Sequence, residues 1–245
     1  MKIWHKIQHT SIPKSEKQLA LFQCEKDFAI RLDNGYELMS SQAHGSEDAL
    51  GEIPCQKIRD YKENPQVLVA GLGMGFTLAS ALKNLPAQAR VTVAEIVPGI
   101  VEWNEGPLGS LNREAIKDPR VTVYTGDVAK LIKQSVKAFD AMIWDLDDGP
   151  EGPGGKLNDW LYSMGGLSVA LSALTEIGVL AIWSAGPDKM FLSRLNKAGF
   201  DVEEKRVRAH KDKGAHYLIW LARKARKPGK RGPAFNTSQR RKRRD

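Results

Sequence analysis

The chain has 245 residues, 42% of them hydrophobic and 27% charged, enough for one full core and a single α/β domain with small additions. No apolar run reaches the roughly 18 residues that a membrane-crossing helix needs. The opening MKIWHKIQHTSIPKSEKQ also lacks the apolar block of a secretory signal, so a cytoplasmic protein with no membrane association is expected. Net charge is +8, but residues 224–245 hold ten Lys/Arg and one acid, which leaves 27 bases and 28 acids in a nearly neutral body.

In chain order, the first clear signal is DFAIRLDNGYELMSS, where Asn34-Gly35 between alternating runs predicts a β-hairpin. The middle then alternates short β-rich runs with helical stretches, the pattern of a parallel sheet covered on both faces. Strands are expected at Gln66–Leu72, Arg90–Val97, Val121–Thr125, Ala141–Leu146 and Gly178–Ser184. Helices are expected near Phe76–Leu85, Gly99–Glu105, Val128–Val136, Leu157–Thr175 and Asp188–Ala198. FDVEEKRVRA and HYLIWLARK would close the sheet as an antiparallel pair, giving seven strands. The expected organisation is a hairpin and lead-in helix over residues 1–60, a cofactor-binding domain over 61–223, and a disordered basic tail over 224–245. That tail is either a solvated extension or an electrostatic arm for RNA or another polyanion.

Chemistry concentrates where strands meet helices. In VLVAGLGMGFTLAS the glycines Gly71, Gly73 and Gly75 allow a sharp turn and close approach of a ligand to the backbone at a helix start. Glu95, 24 residues after Gly71, ends the second core strand, where an acid can accept hydrogen bonds from two ribose hydroxyls. The spacing departs from G-x-G-x-x-G, and no Gly-Lys-Ser/Thr follows, so neither a nicotinamide dinucleotide nor a P-loop phosphate is indicated. Asp127 heads the helix after the third core strand, where helix capping is the commoner role. Asp145 ends the fourth, with Asp147, Asp148 and Glu151 close behind. Four acids in seven residues repel one another unless cations meet them, so this loop points to a cationic ligand. The histidines and the two cysteines, Cys24 and Cys55, show no metal-ligand spacing, and no metal is expected.

These places, which read GLGMGF, AEIVPG, TGDV and DLDDGPEGP, resemble the motifs of the spermidine synthase-like group of the class I S-adenosylmethionine-dependent methyltransferase fold. The resemblance covers most of residues 20–223. It implies a seven-stranded, mostly parallel Rossmann-like sheet with helices on both faces, preceded by a small N-terminal β-hairpin. It also implies S-adenosylmethionine, or its decarboxylated form, as cofactor. By that likeness Glu95 would hold the ribose and Asp127 the adenine amino group. Gly71, Gly73, Met74 and Gly75 would hold the amino-acid end. Asp145, assisted by Asp148, would be the acid beside the sulfonium. His44, near the family's Tyr-His-Glu element, joins Asp147 and Glu151 on the acceptor side. Met74 stands where the family carries an acid within the turn, so methyl transfer to a small-molecule or amine acceptor is the first expectation. Aminopropyl transfer to a polyamine and a non-catalytic nucleoside- or RNA-binding role are the alternatives. A homodimer is left open.

Overall fold

The computed structural model describes residues 3–146, 158–210 and 214–225. At the N-terminus β1 (His5–Ser11), β2 (Gln18–Cys24), β3 (Asp27–Leu32) and β4 (Glu37–Ser40) form an antiparallel meander in sequential order. The expected hairpin is thus the second half of a four-stranded sheet. Asn34 and Gly35 make the β3–β4 turn as expected, with Gly35 at φ +84° and the Tyr36 amide donating to Asn34 Oδ1 at 3.0 Å. Leu19 and Leu21 of β2 face inward and are buried, whereas β1 is almost wholly exposed and offers no apolar alternation.

Helix α1 (Gly45–Arg59) leads into the main sheet. There β5 (Gln66–Ala70), α2 (Phe76–Asn84), β6 (Arg90–Glu95), α3 (Pro98–Glu105), β7 (Val121–Thr125), α4 (Val128–Lys133) and β8 (Phe139–Trp144) follow in turn. Then come α5 (Asp159–Tyr162), α6 (Met164–Ala173), β9 (Leu174–Ser184), α7 (Lys189–Lys197), β10 (Phe200–Arg208) and β11 (His216–Lys224). The sheet has seven strands in the order β10-β11-β9-β8-β5-β6-β7. Six run in one direction and β11 runs against them between β9 and β10, its antiparallel pairing with β10 being as the sequence predicts.

Alternation within each strand sorts side chains to two apolar layers. Val67 and Val69 of β5 join a core under α1, α2, α3 and the N-terminal sheet, while Leu68 and Ala70 join one under α4 to α7. Strand order reverses at β5, which pairs with β6 on one side and β8 on the other. In open α/β sheets the ligand crevice lies at that reversal, beyond the carboxyl ends of the strands.

One expected helix, Leu157–Thr175, is two. Ser163 adopts an extended conformation between α5 and α6, and its hydroxyl accepts from the Gly166 amide at 3.2 Å. A Cβ at Gly166 would lie 2.1 Å from the Trp160 carbonyl oxygen, so the elbow requires glycine. Leu174 and Thr175 belong to β9, which starts four residues before the expected Gly178.

Candidate active site

The ends of β6, β5 and β8 are zipped together at the crevice. Gly71 donates its amide to the Ala94 carbonyl at 2.9 Å, and Asp145 donates its amide to the Ala70 carbonyl at 2.9 Å. The turn then runs through Gly71, Gly73 and Gly75, at φ +88°, +51° and +81°. A Cβ at Gly71 would sit 2.1 Å from the Asp145 carbonyl oxygen, so the glycine is what lets the turn and the end of β8 approach. Gly75 starts α2, and a Cβ there would meet Asn112 Nδ2 at 2.3 Å and Asn104 Oδ1 at 2.6 Å.

Those two asparagines are functional neighbours that sequence reasoning missed. Both are buried. Asn104 Nδ2 donates to the Gly73 carbonyl and Asn112 Nδ2 to the Met74 carbonyl, each at 2.9 Å, and the pair is joined by Asn112 Nδ2 to Asn104 Oδ1 at 2.7 Å. They fix the turn from beneath. A signal existed, since Asn104 breaks the apolar stripe of Ile100 and Trp103 on α3.

Glu95 is 6% exposed, deeper than a rim position. Its Oε2 accepts from the Leu72 amide at 3.0 Å and its Oε1 from the Val97 amide at 2.9 Å. The carboxylate therefore clamps the glycine turn to the start of α3. Asp127 caps α4 through the Ala129 amide at 2.8 Å while staying half-buried. Asp145 Oδ2 accepts from the hydroxyl of Thr77, in the first turn of α2, at 2.7 Å.

Met74 is 4% exposed and belongs to the buried core with Leu78 and Ala81 of α2, and its carbonyl accepts from Asn112. His44, at the N-cap of α1, stacks on Phe76 with centroids 4.0 Å apart, and its Nδ1 lies 3.0 Å from Asp48 Oδ2, out of line for a hydrogen bond. Beside it Glu47 was not anticipated. Burial holds its carboxyl above the usual range, against the opposing pull of a hydrogen bond from the Ser46 hydroxyl. The structure thus brings the glycine turn, Glu95 and Asp145 together at the end of the sheet. Asp147, Asp148 and Glu151 lie outside the described residues.

Among the described residues no helix is long and apolar enough to cross a membrane. Cys24 and Cys55 are buried free thiols, and burial pushes the Cys55 thiol up.

The chain is similar to curated aminopropyltransferases. It is 32% identical over 123 residues to the polyamine aminopropyltransferase of Ruegeria sp., covering 50% of this chain and 41% of that enzyme. It is 29% identical over 151 residues to the spermidine synthase of Dictyostelium discoideum, covering 61% of this chain and 51% of that enzyme. The chain thus spans about half or less of the length of these relatives. Among solved structures, spermidine synthase from Thermotoga maritima superposes with a TM-score of 0.69 at 16% identity, over 90% of this chain and 79% of that one. A spermidine synthase in complex with the transition-state analogue AdoDATO gives 0.68 at 16% identity, over 89% and 72%. At such identity these two likenesses speak to the fold alone.

The preference for methyl over aminopropyl transfer is overturned. The curated relatives named above are a polyamine aminopropyltransferase and a spermidine synthase, and the premise of the preference was Met74, which is buried in the core. The profile described as "Spermine/spermidine synthase domain" matches residues 45–196, from the start of α1 into α7, and the chain belongs to that family.

Proposed function

We propose that this protein transfers the aminopropyl group of decarboxylated S-adenosylmethionine to an amine. The observation that carries the reading is the convergence of Glu95 and Asp145 on one glycine turn, with Glu47 and Asp127 at the same end of the sheet. A sulfonium and an ammonium make that donor a dication without a carboxylate, which suits an acid-lined crevice. Family membership and the aminopropyltransferases among the relatives support the same choice.

When bound, the donor supplies an electrophilic carbon and a neutral thioether as leaving group. The chain's residues hold and orient it. Glu95 offers its carboxylate to ribose hydroxyls, Asp127 its half-buried carboxylate to the adenine amino group, and the glycine turn its backbone. Asp145, with Asp148, accepts the proton that an amine must lose as its nitrogen becomes bonded to carbon. An ammonium of the lysine type has a pKa of about 10.4, so removing that proton is part of the barrier at neutral pH. His44 and the acids Asp147 and Glu151 would receive the acceptor.

The test is incubation of the full-length protein with decarboxylated S-adenosylmethionine and putrescine, spermidine or cadaverine, with product detection by mass spectrometry. The expected result is an aminopropylated amine together with 5′-methylthioadenosine in equal amounts. Donor binding seen by calorimetry without product from any amine would overturn the transfer reading.

A further inference from the structure

Thr77 enters the site from an element with no side chain yet assigned to chemistry. It is the second residue of α2 and is 1% exposed. A hydroxyl so buried must find a partner inside the protein. Two oxygens are in reach: Asp145 Oδ2 at 2.7 Å and the Glu47 carbonyl at 3.3 Å. The hydroxyl has one proton to give, and the shorter, charge-assisted bond to the carboxylate is the stronger.

We infer that Thr77 is a positioning residue for Asp145, its hydroxyl fixing one carboxylate oxygen from inside the fold so that the group is held ionised and in one orientation at the crevice. The catalytic consequence rests on the aminopropyl-transfer reading, whereas the hydrogen bond and its effect on Asp145 do not. Three features make the placement rigid. Gly71 lets the end of β8 close on the turn that begins α2. Gly51 of α1 abuts the Thr77 carbonyl, where a Cβ would lie 2.4 Å away, so glycine lets α1 and α2 pack in close contact there. The Glu47 carbonyl lies on the other side of the hydroxyl. Among the described residues, the titratable groups nearest this point are Glu47, whose carbonyl meets the Thr77 hydroxyl, His44, which stacks on Phe76 beside it, and Glu95, which holds the Leu72 amide of the same turn. In such surroundings a donated hydrogen bond favours the ionised form against repulsion from its neighbours.

The experiment uses the full-length chain without donor, labelled with carboxyl-¹³C aspartate, with Asp145→Asn to assign the resonance. In Thr77→Val, which keeps the shape and removes the hydroxyl, the Asp145 titration is expected to move up by about one to two pH units. Thr77→Ser should bring it back. If Thr77→Val does not fold, Thr77→Ala serves for the same measurement. An unchanged titration in a folded hydroxyl-less variant, or failure of Thr77→Ser to restore it, would overturn the inference. With decarboxylated S-adenosylmethionine and putrescine, the acid limb of the rate profile should shift by the same amount and in the same direction. A wild-type protein that transfers nothing would sink the proposed function, while the carboxyl titration would still decide the role of Thr77.

Discussion

Strand β8 carries one acid near its start and another just past its end, and the fold treats them differently. Asp140, 2% exposed, is matched by the Lys62 ammonium at 2.9 Å and also accepts from the Gln66 amide at 2.9 Å and the Thr175 hydroxyl at 3.1 Å. A buried carboxylate so matched joins β8, β9 and the approach to β5, and its charge is met within the fold. At the other end the bonds described for Asp145 and Glu95 come from neutral donors: a threonine hydroxyl and two backbone amides. A hydroxyl or amide donor stabilises a carboxylate without cancelling its charge. The acids at the two ends of β8 are thus held differently, Asp140 beside a lysine ammonium and Asp145 by a threonine hydroxyl at the crevice.

The sharpest way to break this contrast is Asp145→Asn. Turnover should fall by about 10²–10⁴, the usual scale of general acid–base assistance, with donor affinity and melting temperature little changed. A near-normal single-turnover rate would leave Asp145 as a structural acid like Asp140. Asp140→Ala should do the opposite, lowering unfolding free energy by about 3 kcal/mol in denaturant titration because Lys62, the Gln66 amide and the Thr175 hydroxyl lose their acceptor. Its turnover per folded molecule should be preserved. Glu95→Gln lies between the two, since an amide cannot accept on both sides. A loss of about 1.5–3 kcal/mol, divided between donor binding by calorimetry and thermal stability, is expected. An effect confined to binding would mean that the clamp between Leu72 and Val97 is dispensable. The smallest effect at the crevice should follow removal of residues 226–245. That stretch departs after Ala225, whose amide donates to the Gly199 carbonyl at the end of the sheet away from the crevice. Donor binding and melting should be unchanged, while affinity for RNA and its dependence on salt should fall if the basic residues act as an arm. Full-length protein with no salt-sensitive RNA binding would leave them a solvated extension.

Much of the site was legible because its signals are local. Glycine at a strand-to-helix junction, an acid at a strand end and strands spaced for crossover helices all act within a few residues. From these the seven strands of the main sheet, its antiparallel closing pair and the strand-end positions of Glu95, Asp127 and Asp145 could be read. What faces what is a tertiary matter. β2 alternates Leu19 and Leu21 and could have been found, but β1 becomes a strand only by pairing with it, since its side chains gain little burial. The elbow at Ser163 depends on how closely Gly166 approaches Trp160. Met74 reads as a turn residue until packing directs its side chain into the core. Nothing near Thr77 announces Asp145, 68 residues away, and nothing near Asn104 announces the carbonyl of Gly73. By itself the sequence determined which groups carry charge and which backbone positions can turn. Only the packing of α1 and α2 over the carboxyl end of the sheet decided which donors meet those charges, because hydrogen-bond partners distant in sequence are chosen by proximity in the folded chain.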